Sequence, residues 1–134
     1  MKKGKNAERE FASWVFDELG VKMARNLDQP RSGGHDLSVV DPGEGEVSRA
    51  LDGYAIECKR KKRVLPCDMA AWWLQACDQA ADAGKTPCLA YRADRMAWRV
   101  VIPLHAVNKD LTQYRTLAYT AEMSVEGFCA VVRG

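Results

Sequence analysis

No stretch of the 134 residues approaches the roughly 20 consecutive apolar residues that a membrane span requires. The opening residues, MKKGKNAERE, are charged and have no apolar segment behind them, so no secretory signal is expected there. Five cysteines occur, Cys58, Cys67, Cys77, Cys88 and Cys129, but they lie far apart and none forms a C-x-x-C pair. An odd number at such spacing argues against a zinc site or a disulfide framework, and the expectation is a protein of the reducing cytoplasm. No internal repeat or low-complexity segment is present. An excess of one charge is lacking too: 20 Lys and Arg face 18 Asp and Glu, a net +2 that by itself says little about nucleic acid.

What is present is enough apolar residue, 47%, to build one hydrophobic core, and the length fits a single domain over 1–134. The cations are also unevenly placed. Lys2, Lys3 and Lys5 cluster at the start, and Lys59, Arg60, Lys61, Lys62 and Arg63 are contiguous. A solvated loop and a polyanion contact both explain such a run, so a second feature has to decide between them.

Periodicity supplies the elements. Phe11, Val15 and Leu19 recur at helical spacing and predict a helix over 6–19 that ends at Gly20. Residues 21–26 and the stretch HDLSVV predict strands on either side of the loop PRSGG, while DPGEGE reads as a turn-rich loop. YAIECK predicts the next strand. Asp68 is expected to cap a helix, MAAWWLQACDQAADA, closed by Gly84. PCLAYR and WRVVIP predict two strands joined by ADRM, followed by a short helix over 104–109 and a last strand in FCAVV. Helices interleaved with strands in this order predict a mixed sheet with helices packed on it, in the α/β or α+β class.

Side chains alternate faces along a strand, so Ala55, Glu57 and Lys59 share one side of YAIECK, and Tyr54, Ile56 and Cys58 the other. An E-x-K pair alone is common on solvent-facing strands. Asp36 adds weight, because it opens the preceding strand and would be brought near Glu57 if the two strands pair. Two carboxylates held close repel each other and are tolerated around a hard divalent cation. Lys59 beside them could hold a water or a phosphate oxygen. Glu8 aligns with the core-facing stripe of the first helix, whereas Glu10 aligns with Ser13, Trp14 and Asp17 and is expected to point outward. Gln75 and Gln79 lie one turn apart on the later helix, where an exposed polar face is favoured over a place near the site. Trp72 and Trp73 are expected to pack that helix onto the sheet.

The ordered set KGKNAERE, RSGGHDL, YAIECKRKK, a helix, TPCLAYR and WRVVIP resembles the PD-(D/E)xK nuclease pattern, most of all that of archaeal and phage Holliday-junction resolvases. The resemblance covers about residues 3–104 and leaves the tail, 105–134, unassigned. His35 stands where the family has proline before the aspartate, and the metal chemistry does not need that proline.

The resemblance implies a restriction-endonuclease-like α/β fold, a mixed central β-sheet flanked by helices. It implies Asp36 and Glu57 as ligands of Mg²⁺ or Mn²⁺, Glu8 as an auxiliary ligand, and Lys59 as the catalytic lysine. Candidate DNA contacts are Lys3, Lys5 and Arg9 in the first helix, Arg31 and Ser32 in the glycine-rich loop, and Arg60, Lys61, Lys62 and Arg63 beyond the lysine. The expected activity is metal-dependent endonucleolytic hydrolysis of branched DNA, most simply a Holliday junction, by a homodimer in phage recombination or packaging. A repair or restriction-type endonuclease of the same superfamily is the alternative enzyme. A DNA-binding module that keeps the fold without turnover is the alternative of another class.

Overall fold

The computed structural model describes residues 2–26 and 36–134. The chain opens with α1 (Lys2–Leu19), then β1 (Met23–Arg25) and β2 (Leu37–Val39), α2 (Glu46–Asp52), β3 (Tyr54–Lys61), α3 (Pro66–Ala83), β4 (Thr86–Ala93), β5 (Arg99–Pro103), α4 (Leu104–Val107), β6 (Thr120–Ser124) and α5 (Val125–Arg133). The strands form one sheet in the order β1-β2-β3-β4-β5-β6. Only β3 and β4 run parallel; the other neighbours are antiparallel. A parallel pair needs a long crossover, and α3 supplies it. The mixed sheet flanked by helices is the α/β architecture expected from the sequence.

Alternation along β3 sorts its side chains between two apolar layers. Ile56 and Cys58 join Cys88, Ala90, Val100 and Ile102 against Phe11 and Val15 of α1 and Phe128 and Val132 of α5. The opposite face carries Leu89 and Val101 against Trp73, Ala76 and Cys77 of α3. Each fully buried side chain of this size contributes about 1.5–3 kcal/mol of hydrophobic stabilisation. The helices therefore fix where the polar residues of β3 can sit. Trp73 is buried as expected, and its indole N–H donates to the Arg115 carbonyl at 2.7 Å.

Four expectations change. The stretch FCAVV lies in α5, not in a strand. Its valines favour a strand locally, but Val125, Phe128, Cys129 and Val132 fall at i, i+3, i+4 and i+7 and are all buried. Ser124 accepts the Gly127 N–H at 3.0 Å and starts that helix. The last strand is instead Thr120–Ser124, paired with β5. Asp68 is not the N-cap of α3: the helix begins at Pro66, and the Asp68 carboxylate accepts the Leu65 N–H at 2.8 Å from inside the first turn. After DPGEGE, Glu46–Asp52 forms α2, whose only apolar register is Val47 and Leu51, too short a pattern to read from sequence. Glu10 is held by Trp98, Arg92 and Arg60 and is only partly open to solvent.

Candidate active site

Asp36 is positioned by backbone on both sides. Its carbonyl accepts the Asn26 N–H and its own N–H donates to the Ile56 carbonyl, each at 2.8 Å. Leu37 is the register partner of Ile56 as well. Asp36, the residue just before β2, is thus tied to Ile56 beside the Leu37–Ile56 pair, which fixes the direction of its side chain. The aimed carboxylate reaches across the strand pair, where its Oδ2 accepts the Cys58 N–H at 2.7 Å. Asp36 is 6% exposed.

Glu57 lies on the α3-facing side of β3 and is 2% exposed. Its Oε2 accepts a hydrogen bond from Gln75 Nε2 of α3 at 3.0 Å and lies 3.4 Å from Lys59 Nζ. Burial, and next the Asp36 charge, push the Glu57 carboxyl up to about 8; Lys59 pulls the other way without winning, and Glu8 adds a smaller upward push. The structure therefore brings Asp36, Glu57 and Lys59 into one electrostatic unit, with Glu8 at its border. Among the described residues no group of three or more His, Cys, Asp or Glu lies close enough to hold a metal ion. The immediate donor set is two carboxylates with a lysine beside them.

Glu8 is mostly buried and is held by β1: Arg25 Nε donates to its Oε1 at 2.6 Å. Arg25 is the side chain at this centre that sequence reasoning missed, and Gln75 is one whose place near the site it ranked second. For Gln75 the expected exposed polar face was wrong, because α3 turns that residue toward β3. Its position one helical turn from Gln79, on a helix following the lysine, was the available signal. Arg25 had none, since the pairing of a three-residue strand with α1 is a tertiary event.

Glu10 corrects the reading of α1 most sharply. Its carboxylate accepts the Trp98 indole N–H at 2.7 Å and lies 2.8 Å from Arg92 Nε and 3.7 Å from Arg60 Nη1. Arg92 Nε is close in distance but misaligned for a hydrogen bond, so that contact is an ion pair only. Helical register alone put Glu10 outside; Arg92 of β4, Trp98 just before β5 and Arg60 of β3 reach it and leave its side chain 33% exposed.

The basic run divides in two. Arg60 pairs with Asp94 at 3.2 Å as well as with Glu10, and Lys61 pairs with Asp68 at 2.8 Å. Lys62 and Arg63 are exposed, and among the described residues neither has an ion-pair partner. Strand β3 persists to Lys61, which therefore shares the face of Glu57 and Lys59. Arg9 is exposed on α1. The side chains of Lys3 and Lys5, and Arg31, Ser32 and His35 entirely, lie outside the described residues. All five cysteines are free thiols. Among the described residues no helix is long and apolar enough to cross a membrane.

No curated protein matches the sequence. A similar solved structure is that of Hjc, a Holliday junction resolvase from the archaeal hyperthermophile Archaeoglobus fulgidus, at 20% identity and TM-score 0.47, covering 94% of this chain and 88% of that one. The family described as "Phage putative PDDEXK endonuclease" matches residues 1–131, the acids and lysine of the site among them, and the chain belongs to that family.

Proposed function

We propose that the chain is a divalent-cation-dependent DNA endonuclease whose centre is Asp36, Glu57 and Lys59. One observation carries this reading. Two carboxylates are buried at neighbouring strands, Asp36 just before β2 and Glu57 in β3, and the Asp36 charge raises the cost of ionising Glu57. Such a pair destabilises a fold unless a cation or a chemical task accompanies it. The donor set fits Mg²⁺, which typically takes one or two carboxylates and keeps several waters. When bound, the cation would supply an acidified water and neutralise charge on the phosphate.

The chain's own residues do the rest. The Cys58 amide fixes the Asp36 carboxylate, and Gln75 fixes that of Glu57, so neither acid has to reorganise when substrate arrives. Lys59, 3.4 Å from Glu57, is placed to donate to the attacking water or to a phosphate oxygen. Glu8, engaged by Arg25, acts at the border through a water. Lys62 and Arg63 present their charges to the phosphate backbone.

The finer reading is a branched substrate, a four-way junction cut by a homodimer, and it rests on the order of the sequence motifs. The test is cleavage of a four-way junction, a duplex and a single strand, with Mg²⁺ and with chelator. Junction cutting that needs the cation, and that Asp36→Asn and Lys59→Ala abolish while DNA binding survives, is the expected result. Cutting of duplex as readily as junction would replace the branched substrate by the repair or restriction-type reading. Turnover by Asp36→Asn at the wild-type rate would remove the centre.

A further inference from the structure

We propose that the turn between β4 and β5, residues 94–97, is a second DNA contact, with Arg95 reaching a backbone phosphate and Met96 pressing on a base step. The inference rests on the nuclease reading and extends it to residues that no sequence motif marks.

Arg95 has φ 69, and among the described residues it is the only non-glycine residue with positive φ. An L-residue with a long side chain is disfavoured there, so the surrounding structure must hold it. It does. Met96 N–H donates to the Ala93 carbonyl at 3.0 Å, Arg92 Nη1 donates to the Met96 carbonyl at 3.0 Å, and Asp94 is gripped by Arg60 on one side and donates its N–H to the Lys61 carbonyl on the other. The turn is thus rigid, and what it presents to solvent is a cation followed by a methionine 63% exposed. Among the described residues the Arg95 side chain has no hydrogen bond or ion pair, whereas Arg60 and Arg92 are both tied to carboxylates.

The location indicates the partner. Through the Asp94–Lys61 hydrogen bond the turn abuts the basic run, so Arg95 continues the charge of Lys62 and Arg63 around the end of the sheet. A neighbouring acidic protein would be drawn by the charge, but it is a duplex that offers phosphates beside an apolar, intercalatable step, and exposed methionine is among the side chains that wedge such steps. Met96 also borders an open groove of ≈ 390 Å³ whose lining mixes Trp14, Trp98 and Val125 with Glu10, Arg99 and Glu126. Glu57 is four residues from Lys61 along β3, roughly 13 Å at 3.3 Å per residue. That equals about four base-pair steps of a duplex lying along the strand. The turn would therefore meet DNA about four base pairs from the cut, on one side of it.

The experiment is binding of the full chain to a duplex and a four-way junction in chelator, at 50 and 200 mM salt. Arg95→Ala should weaken binding to all sequences, and its deficit should shrink about 3.5-fold between the two salts, the change expected for one lost phosphate contact. Arg95→Lys should restore affinity. Arg95→Gly should lose the same affinity as Arg95→Ala while raising the thermal midpoint, because it relieves the backbone; a purely structural role for Arg95 would not separate the two. With 2-aminopurine placed about four base pairs from the cut, Met96→Ala should lose the fluorescence rise that reports unstacking and leave the salt slope unchanged. If the wild-type chain binds and cuts DNA but Arg95→Ala and Arg95→Gly keep its affinity and salt slope, the turn is no DNA contact and this inference fails alone. If the wild-type chain binds no DNA, the nuclease reading itself fails.

Discussion

Replacing Glu57 by glutamine should make the cation-free protein more stable above neutral pH while ending its activity. The Glu57 carboxyl sits at about 8 in the fold against an ordinary 4.5. A carboxyl with a raised folded pKa favours the protonated folded state, so its contribution is whole below 4.5 and is lost as pH rises through 8. At 1.36 kcal/mol per pKa unit, the wild-type chain loses about 4 kcal/mol from this group between pH 5 and pH 9, most of it before pH 8. Glutamine cannot ionise, yet its amide oxygen still accepts the Gln75 hydrogen bond, so packing is kept. Urea denaturation in chelator at pH 5, 7 and 9 reads the difference. With a denaturant slope near 2 kcal/mol/M, the wild-type midpoint should fall relative to that of Glu57→Gln by about 2 M across that range. Mg²⁺ at about 100 times its Kd should return about 2.7 kcal/mol to the wild type at pH 9 and little to the variant. Parallel pH profiles for the two proteins would refute the claim that burial and Asp36 hold the Glu57 proton.

Two further outcomes separate neighbouring residues. Glu10→Ala should lower stability by about 2 kcal/mol, because it leaves the Trp98 indole N–H without its acceptor and removes one carboxylate from Arg92 and Arg60, whereas Glu8→Gln should reduce cleavage with little change in the unfolding midpoint; the opposite ranking would mean that α1 is rotated from its described register. Within the basic run, Lys62→Ala and Arg63→Ala should each reduce the salt slope of duplex binding by about 0.9, while Arg60→Ala should chiefly lower the unfolding midpoint, since Glu10 and Asp94 already occupy it. Equal slopes for all variants would return the run to a solvated loop.

Much of this arrangement can be read from the chain because it rests on short periods. Alternation in YAIECK puts Glu57 and Lys59 on one face of β3, and the 3.6-residue period puts Phe11 and Val15 in the core. Where a second element decides, the sequence is silent or misleading. Glu10 looks exposed from α1 alone and finds its partners only in Arg92, Trp98 and Arg60, from other parts of the chain. Gln75 looks like a polar surface until α3 is laid over β3. FCAVV has the composition of a strand and the spacing of a helix, and burial of Phe128 and Val132 decides in favour of the spacing. The bond from the Asp36 N–H to the Ile56 carbonyl leaves no mark in the sequence, because it is a property of the pairing between two strands.

The last helix closes one wall of the layer that also holds Phe11, Ile56 and Cys58. Cys58 is the residue whose amide grips Asp36. On a translating ribosome the chain therefore carries the residues of its centre, from Glu8 to Gln75, well before residues 125–133 exist to complete the layer beneath them. At 5–20 residues per second that interval lasts several seconds. Until residues 125–133 have been made, the apolar layer that backs Cys58 lacks Phe128, Cys129 and Val132 and stays open on one side.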